Sequence, residues 1–447
     1  MLSFVNAILW GGPVLIMMLG TGFLLTFRTG FVQFRLLFPS LKLFFQQWKD
    51  QTDGESSFRA LCTALAATVG TGNIAGVAGA IAIGGPGAVF WMWVSGFLGM
   101  ATKFAEAALA VRYSVKSEKG ERIGGPMYIM EQGLGSRYRP MAVIYCVFGL
   151  IAVLGVGTAT QVGAVVNAAQ DAAAAFGVSM DGRIRLLVGA GMAFLVWRMV
   201  SGGFSRIGAM AEFLVPFASI VYLLLGFGVI VMRFDRIGGV FSTILQGAFS
   251  PRGVTGGAVG SMLTAMRIGI SRGVFTNEAG MGTAAMAHGG AEGVTPRQQG
   301  MLGIVEVFLD TIVICTMTAL VILLSGVPIP YGQVASGELT ASGLSACYGN
   351  WVRLLLSLCL GCFALATILG WGLYGGRSLE YLAGKVDWNW FGLFQALGVL
   401  AGAVMESGWI WDFAELANGL MAVPNLITLV LLSGTVVKLG VDSRGKM

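Results

Sequence analysis

The stretch Thr63–Val77, TALAATVGTGNIAGV, restricts the possible folds of this chain more than any other. It lies inside a long apolar run, yet its middle, Gly70-Thr71-Gly72-Asn73, is what a helix interior avoids. Glycine costs about 1 kcal/mol relative to alanine in a helix, and Thr and Asn side chains compete with the backbone for hydrogen bonds. The surroundings sharpen the conflict. The chain has 447 residues, 56% hydrophobic and 11% charged, with mean hydropathy +0.79, whereas a soluble domain carries about 25% charged residues. That is the composition of a polytopic membrane protein. Irregular backbone inside a bilayer is prohibitive unless it lines a protein cavity or holds a ligand. The stretch therefore reads as a broken transmembrane helix whose free N–H and C=O groups suit a small zwitterion and a cation. The alternative is that Gly70, Gly72 and Gly76 let helices pack closely. Packing accounts for the glycine spacing but not for Asn73.

A second interrupted segment favours the break. Ser261–Ala287, SMLTAMRIGISRGVFTNEAGMGTAAMA, is apolar at both ends and rich in glycine and polar residues around Ser271–Thr283. Two interrupted spans in corresponding halves of a membrane chain point to an inverted-repeat transporter with a site near the midplane.

About eleven spans of roughly 20 residues are expected, near 7–27, 59–82, 87–111, 140–168, 183–200, 209–232, 259–286, 299–326, 350–374, 389–407 and 413–437. Between the first two, Phe34, Leu37, Leu41 and Phe44–Phe45 at helical spacing predict an interfacial helix. The 28 Lys and Arg residues divide nineteen to six between the loops after odd-numbered spans, with the C-terminal tail, and the opposite side; Lys103, Arg267 and Arg272 lie within spans. The positive-inside rule then places the N-terminus outside and the C-terminus in the cytoplasm. The net charge of +6 is accounted for by these loops and implies no nucleic-acid partner. The one His, His288, excludes a multi-histidine metal site, and Cys359-x-x-Cys362 lies in an apolar run without a nearby His. The Met1 end lacks the basic region of a cleaved signal peptide.

At Ala66–Gly76 with Gly84–Arg112, and again at Arg272–Gly282 (RGVFTNEAGMG), the chain resembles the alanine/glycine:cation symporter family. The likeness runs over nearly the whole chain, including Gly124–Tyr128 and Ser201–Ile207. It implies an all-α membrane protein of LeuT type: one extra N-terminal helix and an interfacial helix in 1–58, then inverted five-helix repeats at 59–232 and 259–437. Each repeat would begin with a broken helix, at 68–73 and 271–283. The resemblance also implies sodium-coupled, sometimes proton-coupled, uptake of small amino acids, mainly alanine and glycine, with glutamine for some members. The expected location is the plasma (inner) membrane, among lipid, as a monomer. One departure is Ala284-Ala285-Met286, where many relatives carry Ser-Ala-Pro.

An amino acid presents a carboxylate and an ammonium group. Helix N-termini at a break suit the carboxylate, which assigns it to Thr71, Gly72 and Asn73, glycine letting the ligand reach the backbone. Carbonyls of the second break suit the ammonium and place Ser271, Gly273, Phe275 and Asn277 near it; Asn277 is alternatively a helix cap. A dehydrated sodium ion wants several hard oxygens. By the family likeness these are the carbonyls of Ala66 and Val69 with the hydroxyl of Thr367, unless Thr367 bonds back to its own helix. Gln161 and Trp371 are candidates for the side-chain pocket, against the alternatives of joining two helices and of core packing. Lys103 and Glu106, three apart, read as a mutual pair. Glu278, Glu306 and Asp310 are candidates for gating, for holding the break open, or for liganding a cation. A membrane-embedded enzyme finds no support in one His without paired ligands, and a channel is disfavoured by two dissimilar breaks in one chain.

Overall fold

The computed structural model describes residues 5–6, 9–10, 12–49, 57–117, 120–249, 261–404 and 408–441. Lys119, Arg252, Arg444 and Lys446, used in the charge count, lie outside the described residues. Helices dominate, named here in chain order. The N-terminal part holds α1 (Pro13–Arg28), α2 (Val32–Lys49), α3 (Ser57–Thr68), α4 (Val77–Gly84) and α5 (Gly87–Arg112). The middle holds α6 (Arg139–Leu154), α7 (Thr160–Ala174), α8 (Gly182–Val200), α9 (Gly203–Met232) and α10 (Ile237–Phe249). Then come α11 (Met262–Asn277), α12 (Thr283–His288), α13 (Pro296–Val307), α14 (Thr316–Ser325) and α15 (Gly337–Tyr348). The chain closes with α16 (Val352–Ala383), α17 (Trp388–Val404), α18 (Gly408–Leu431) and α19 (Ser433–Val441). One small exception to an all-helical fold lies in the basic loop: β1 (Val115–Lys116) pairs antiparallel with β2 (Arg122–Ile123).

Among the described residues six helices are long and apolar enough to cross a membrane, or up to eight if two bent pairs each count as one span. The expected eleven are not all reached by that measure, for reasons visible in the sequence. Helix α8 carries Arg183, Arg185 and Arg198, α17 is only 17 residues long, and α11 stops after 16. Helix α2 turns 81° from α1, and Phe34, Phe38 and Phe45 stand exposed on it. Large apolar side chains are also exposed on the long spans, among them Phe213, Leu224 and Phe227 of α9. In a chain this apolar, such a surface faces lipid.

Helix α5 is the central post, buried along nearly all of its length. It packs against α1, α11 and α13. Small residues make the closest approach possible. On α11, Gly269 and Gly273 lie one turn apart, and a β-carbon at either would collide with α5, at Ala88 and Ser95 respectively.

Candidate functional site

The first break is narrow. Helix α3 ends at Thr68, a π-turn spans Gly72–Gly76, and the axis bends by 50°. Its helical partner lost, the Gly70 N–H donates to Asn73 Oδ1 at 2.9 Å. Asn73 Nδ2 in turn donates to Asp310 Oδ1 at 2.6 Å, so this fully buried side chain holds the bend together. Threonine hydroxyls of neighbouring helices also bond carbonyls of this turn. Thr318 Oγ1 donates to the Asn73 carbonyl at 2.8 Å, and Thr340 Oγ1 to that of Ile74 at 3.5 Å. Past Leu65, whose carbonyl accepts from Val69 N, the carbonyls of Ala66 to Val69 receive no hydrogen bond from any described residue. These are the orphan acceptors of a helix C-terminus, here left inside the protein.

Two side-chain oxygens converge on Gly70. A β-carbon there would lie 2.6 Å from Thr367 Oγ1 and 3.4 Å from Gln161 Oε1. Thr367 is buried and its hydroxyl has no hydrogen-bond partner among the described residues, so it does not bond back to its own helix. Gln161 accepts from Thr71 Oγ1 at 2.8 Å. It is oriented by a second π-turn, Gly155–Ala159, whose freed Val156 carbonyl takes the Gln161 Nε2 at 3.3 Å.

The second break is of another kind. Helix α11 continues to Asn277, so unwinding is confined to Glu278–Met281 and the Gly282 cap rather than starting at Ser271. Positive φ angles occur at Glu278 (52°), Gly280 (99°) and Gly282 (80°). Ser271 and Gly273 therefore lie within regular helix, which takes up their carbonyls. Gly273 faces Ser95 and Met92 of α5. Asn277 caps the break, accepting from Ala279 N at 3.0 Å, and donates to Thr311 Oγ1 at 3.2 Å. Thr311 donates to Asp310 Oδ2 at 2.8 Å. A hydrogen-bonded chain thus runs from Asn73 through Asp310 and Thr311, on a third π-turn (Phe308–Cys315), to Asn277.

The first break meets α11 just before the second break, where a β-carbon at Gly72 would lie 3.5 Å from Thr276 Cγ2. Beside this contact a cavity of about 830 Å³ is walled by Thr71, Gly72, Gln161, Phe275 and Thr276, with mostly apolar residues beyond. Thr276 was not anticipated from the sequence, although it stands beside Phe275 in the second motif. Asn73, Ser271, Gly273, Asn277, Trp371, Ala66, Val69 and Thr367 do not line it. Trp371 instead packs on Gly157 and donates its Nε1–H to Glu278 Oε1 at 3.1 Å.

Away from the cavity a buried polar cluster closes the other side. Glu278 Oε2 accepts from Thr283 at 2.6 Å. Glu106 Oε1 accepts from the Gly280 and Gly282 amides at 3.0 and 2.9 Å and from Asn425 at 2.7 Å. The expected Lys103–Glu106 pair does not form. Lys103 bonds Glu306 at 2.8 Å, which also meets His288 at 3.0 Å, because α13 lies against that face of α5.

Comparison with known proteins follows from this arrangement. The sodium:alanine symporter family model matches residues 1–444. The chain is 40% identical over 439 residues to the sodium/alanine symporter AgcS of Methanococcus maripaludis, covering 97% of this chain and 94% of that protein. It is also 40% identical over 442 residues to an uncharacterized transporter of Haemophilus influenzae, covering 98% and 94%. Among solved structures, MhsT in complex with L-phenylalanine superposes with a TM-score of 0.63 at 12% identity, over 87% of this chain and 92% of that one, which shows the LeuT-type fold. A membrane-spanning fold with two broken helices meeting at one cavity, and a family match along the chain, lead to one conclusion: this chain belongs to the sodium:alanine symporter family, a family of transporters.

Proposed function

We propose that this protein is a sodium-coupled symporter that imports small neutral amino acids, alanine and glycine, by alternating access. The observation that carries the reading is the meeting of the first break with α11, the helix that leads into the second, at one cavity beside an oxygen-lined point at Gly70. Sodium, as the co-transported ion, would be held by the free carbonyls of Ala66 and Val69 and the unpartnered Thr367 hydroxyl. The substrate carboxylate would meet the backbone at Thr71 and Gly72, with Asn73 holding that backbone in place. The ammonium would meet the last carbonyls of α11, at Phe275 and Asn277, while Gln161 and Trp371 fix the surrounding walls. Residues 59–232 and 259–437 would form the two repeats after the segment 1–58, and the unit would work as a monomer in the inner membrane. The cavity wall at Ile83, Asn167, Arg185, Val334 and Phe413 adjoins loops that charge counting places outside. On that reading the cavity faces outward and the Glu278, Glu106 and Glu306 cluster closes the cytoplasmic side.

Uptake of labelled alanine into proteoliposomes, with and without an inward sodium gradient, tests the proposal. Concentrative, sodium-dependent accumulation is expected. Equilibration without accumulation would indicate a channel, and no uptake would remove alanine as substrate. The cavity of about 830 Å³ has room for a longer side chain, so glutamine, and a proton gradient, belong in the same competition experiment.

A further inference from the structure

We infer that Arg272 receives the substrate carboxylate on the mouth side of the site and bars cationic amino acids from the cavity. The inference rests on the reading that this cavity takes amino acids. Arg272, Phe275 and Thr276 are spaced i, i+3 and i+4 on α11, and all three line the cavity. Thr276 is the residue that faces Gly72 where α11 meets the first break. The guanidinium is therefore rooted one helical turn from that meeting point. Among the described residues it has no hydrogen bond or ion pair, whereas Arg185, the other charged residue of the described wall, is already engaged. No Asp or Glu lines the cavity among the described residues.

A half-buried guanidinium beside an apolar wall lacks the counter-charge that such a group normally takes. Its planar fork matches a carboxylate in two parallel hydrogen bonds. A zwitterion entering the cavity would meet Arg272 with its carboxylate first and pass it on to the amides at Thr71 and Gly72, one turn deeper. A substrate with a net positive charge would meet an uncompensated like charge. Selection against cationic amino acids then comes from charge and not from size, since the cavity could hold them.

The test uses the full-length protein in proteoliposomes, with Arg272→Gln, Arg272→Lys and Arg272→Glu beside wild type. The readouts are KM and Vmax for labelled alanine and inhibition by lysine. Removing one partner of a charge-assisted pair should raise KM about tenfold or more in Arg272→Gln, with Vmax little changed. Arg272→Lys keeps the charge, should restore most of the affinity, and serves as the folded control. In Arg272→Glu, lysine should become an inhibitor, which it is not of wild type. An unchanged KM in Arg272→Gln overturns the inference, as does equal impairment in Arg272→Lys with no lysine inhibition in Arg272→Glu. If wild type itself fails to take up alanine, the functional reading fails and takes this inference with it. Normal wild-type uptake with an unaffected Arg272→Gln variant overturns this inference alone.

Discussion

Single atoms decide the behaviour of Gly72, Gly70 and Thr367. Glycine is needed at the first break for room and not for backbone freedom, since neither Gly70 nor Gly72 has a positive φ. A β-carbon at Gly72 would rest at ordinary contact distance from Thr276, but the two methyls of valine would stand where the first break meets α11. Gly72→Val should therefore abolish alanine binding while the protein still inserts and melts cooperatively; binding of normal affinity would return this glycine to a packing role. Thr367 offers a cleaner reading of the ion. Its hydroxyl is buried without a partner, so removing it breaks no hydrogen bond in the protein. Thr367→Ala should raise the sodium concentration for half-maximal uptake several-fold and leave the melting temperature nearly unchanged, and Thr367→Ser should restore the wild-type value. A sodium dependence that does not move would exclude Thr367 from the ion site.

At the scale of the element, the two interruptions solve the same problem differently. The bilayer offers no water to an unwound backbone, so each freed group needs a protein partner. At the first break the chain continues through a π-turn, and threonine hydroxyls from α14 and α15 also donate to the Asn73 and Ile74 carbonyls. At the second, the amides of Gly280 and Gly282 turn to the Glu106 carboxylate on α5. Glu106→Ala would strand both amides, at about 1–3 kcal/mol for each buried group, and should lower the melting temperature clearly more than Glu106→Gln, which keeps an acceptor. Equal melting of the two variants would rule out the capping role. Glu278 carries a left-handed backbone conformation and accepts from Trp371 and Thr283, one bond to each oxygen. Glu278→Gln replaces one acceptor by a donor, so one of those bonds must break. Because the role is structural, counterflow exchange and gradient-driven uptake should fall together in the same vesicles. Loss of accumulation with exchange intact would instead make Glu278 part of the coupling.

The whole molecule joins one open side to one closed side. The cavity reaches Val334, which is 87% exposed, while Lys103, Glu106, His288, Glu306 and Asp310 lie fully buried beneath it. With the native cysteines replaced, Val334→Cys should react with a membrane-impermeant thiol reagent added to intact cells. Labelling only in inverted vesicles would reverse the orientation that the charge count predicts.

Much of this was legible in the sequence because the bilayer penalises irregular backbone so heavily. Gly70-Thr71-Gly72-Asn73 and the segment around Asn277–Gly282 could only be breaks or contacts, and they are both. That residues 32–49 form a helix was readable from the aromatic spacing. Partners were not readable. Lys103 and Glu106 are three residues apart, yet each bonds elsewhere, because a helix fixes which residues are neighbours along itself and not what packs against them. The extent of the second break was likewise hidden: Ser271 and Gly273 look like unwound positions, but both lie within α11, which packs against α5 at Gly273. Asp310 gains meaning only when helix packing brings it to Asn73 of the first break and its neighbour Thr311 to Asn277 of α11. Hydropathy and glycine placement, set by the membrane as solvent, are local properties and so belong to the sequence. Which buried charge meets which donor depends on helix packing across hundreds of residues, and only the tertiary structure decides it.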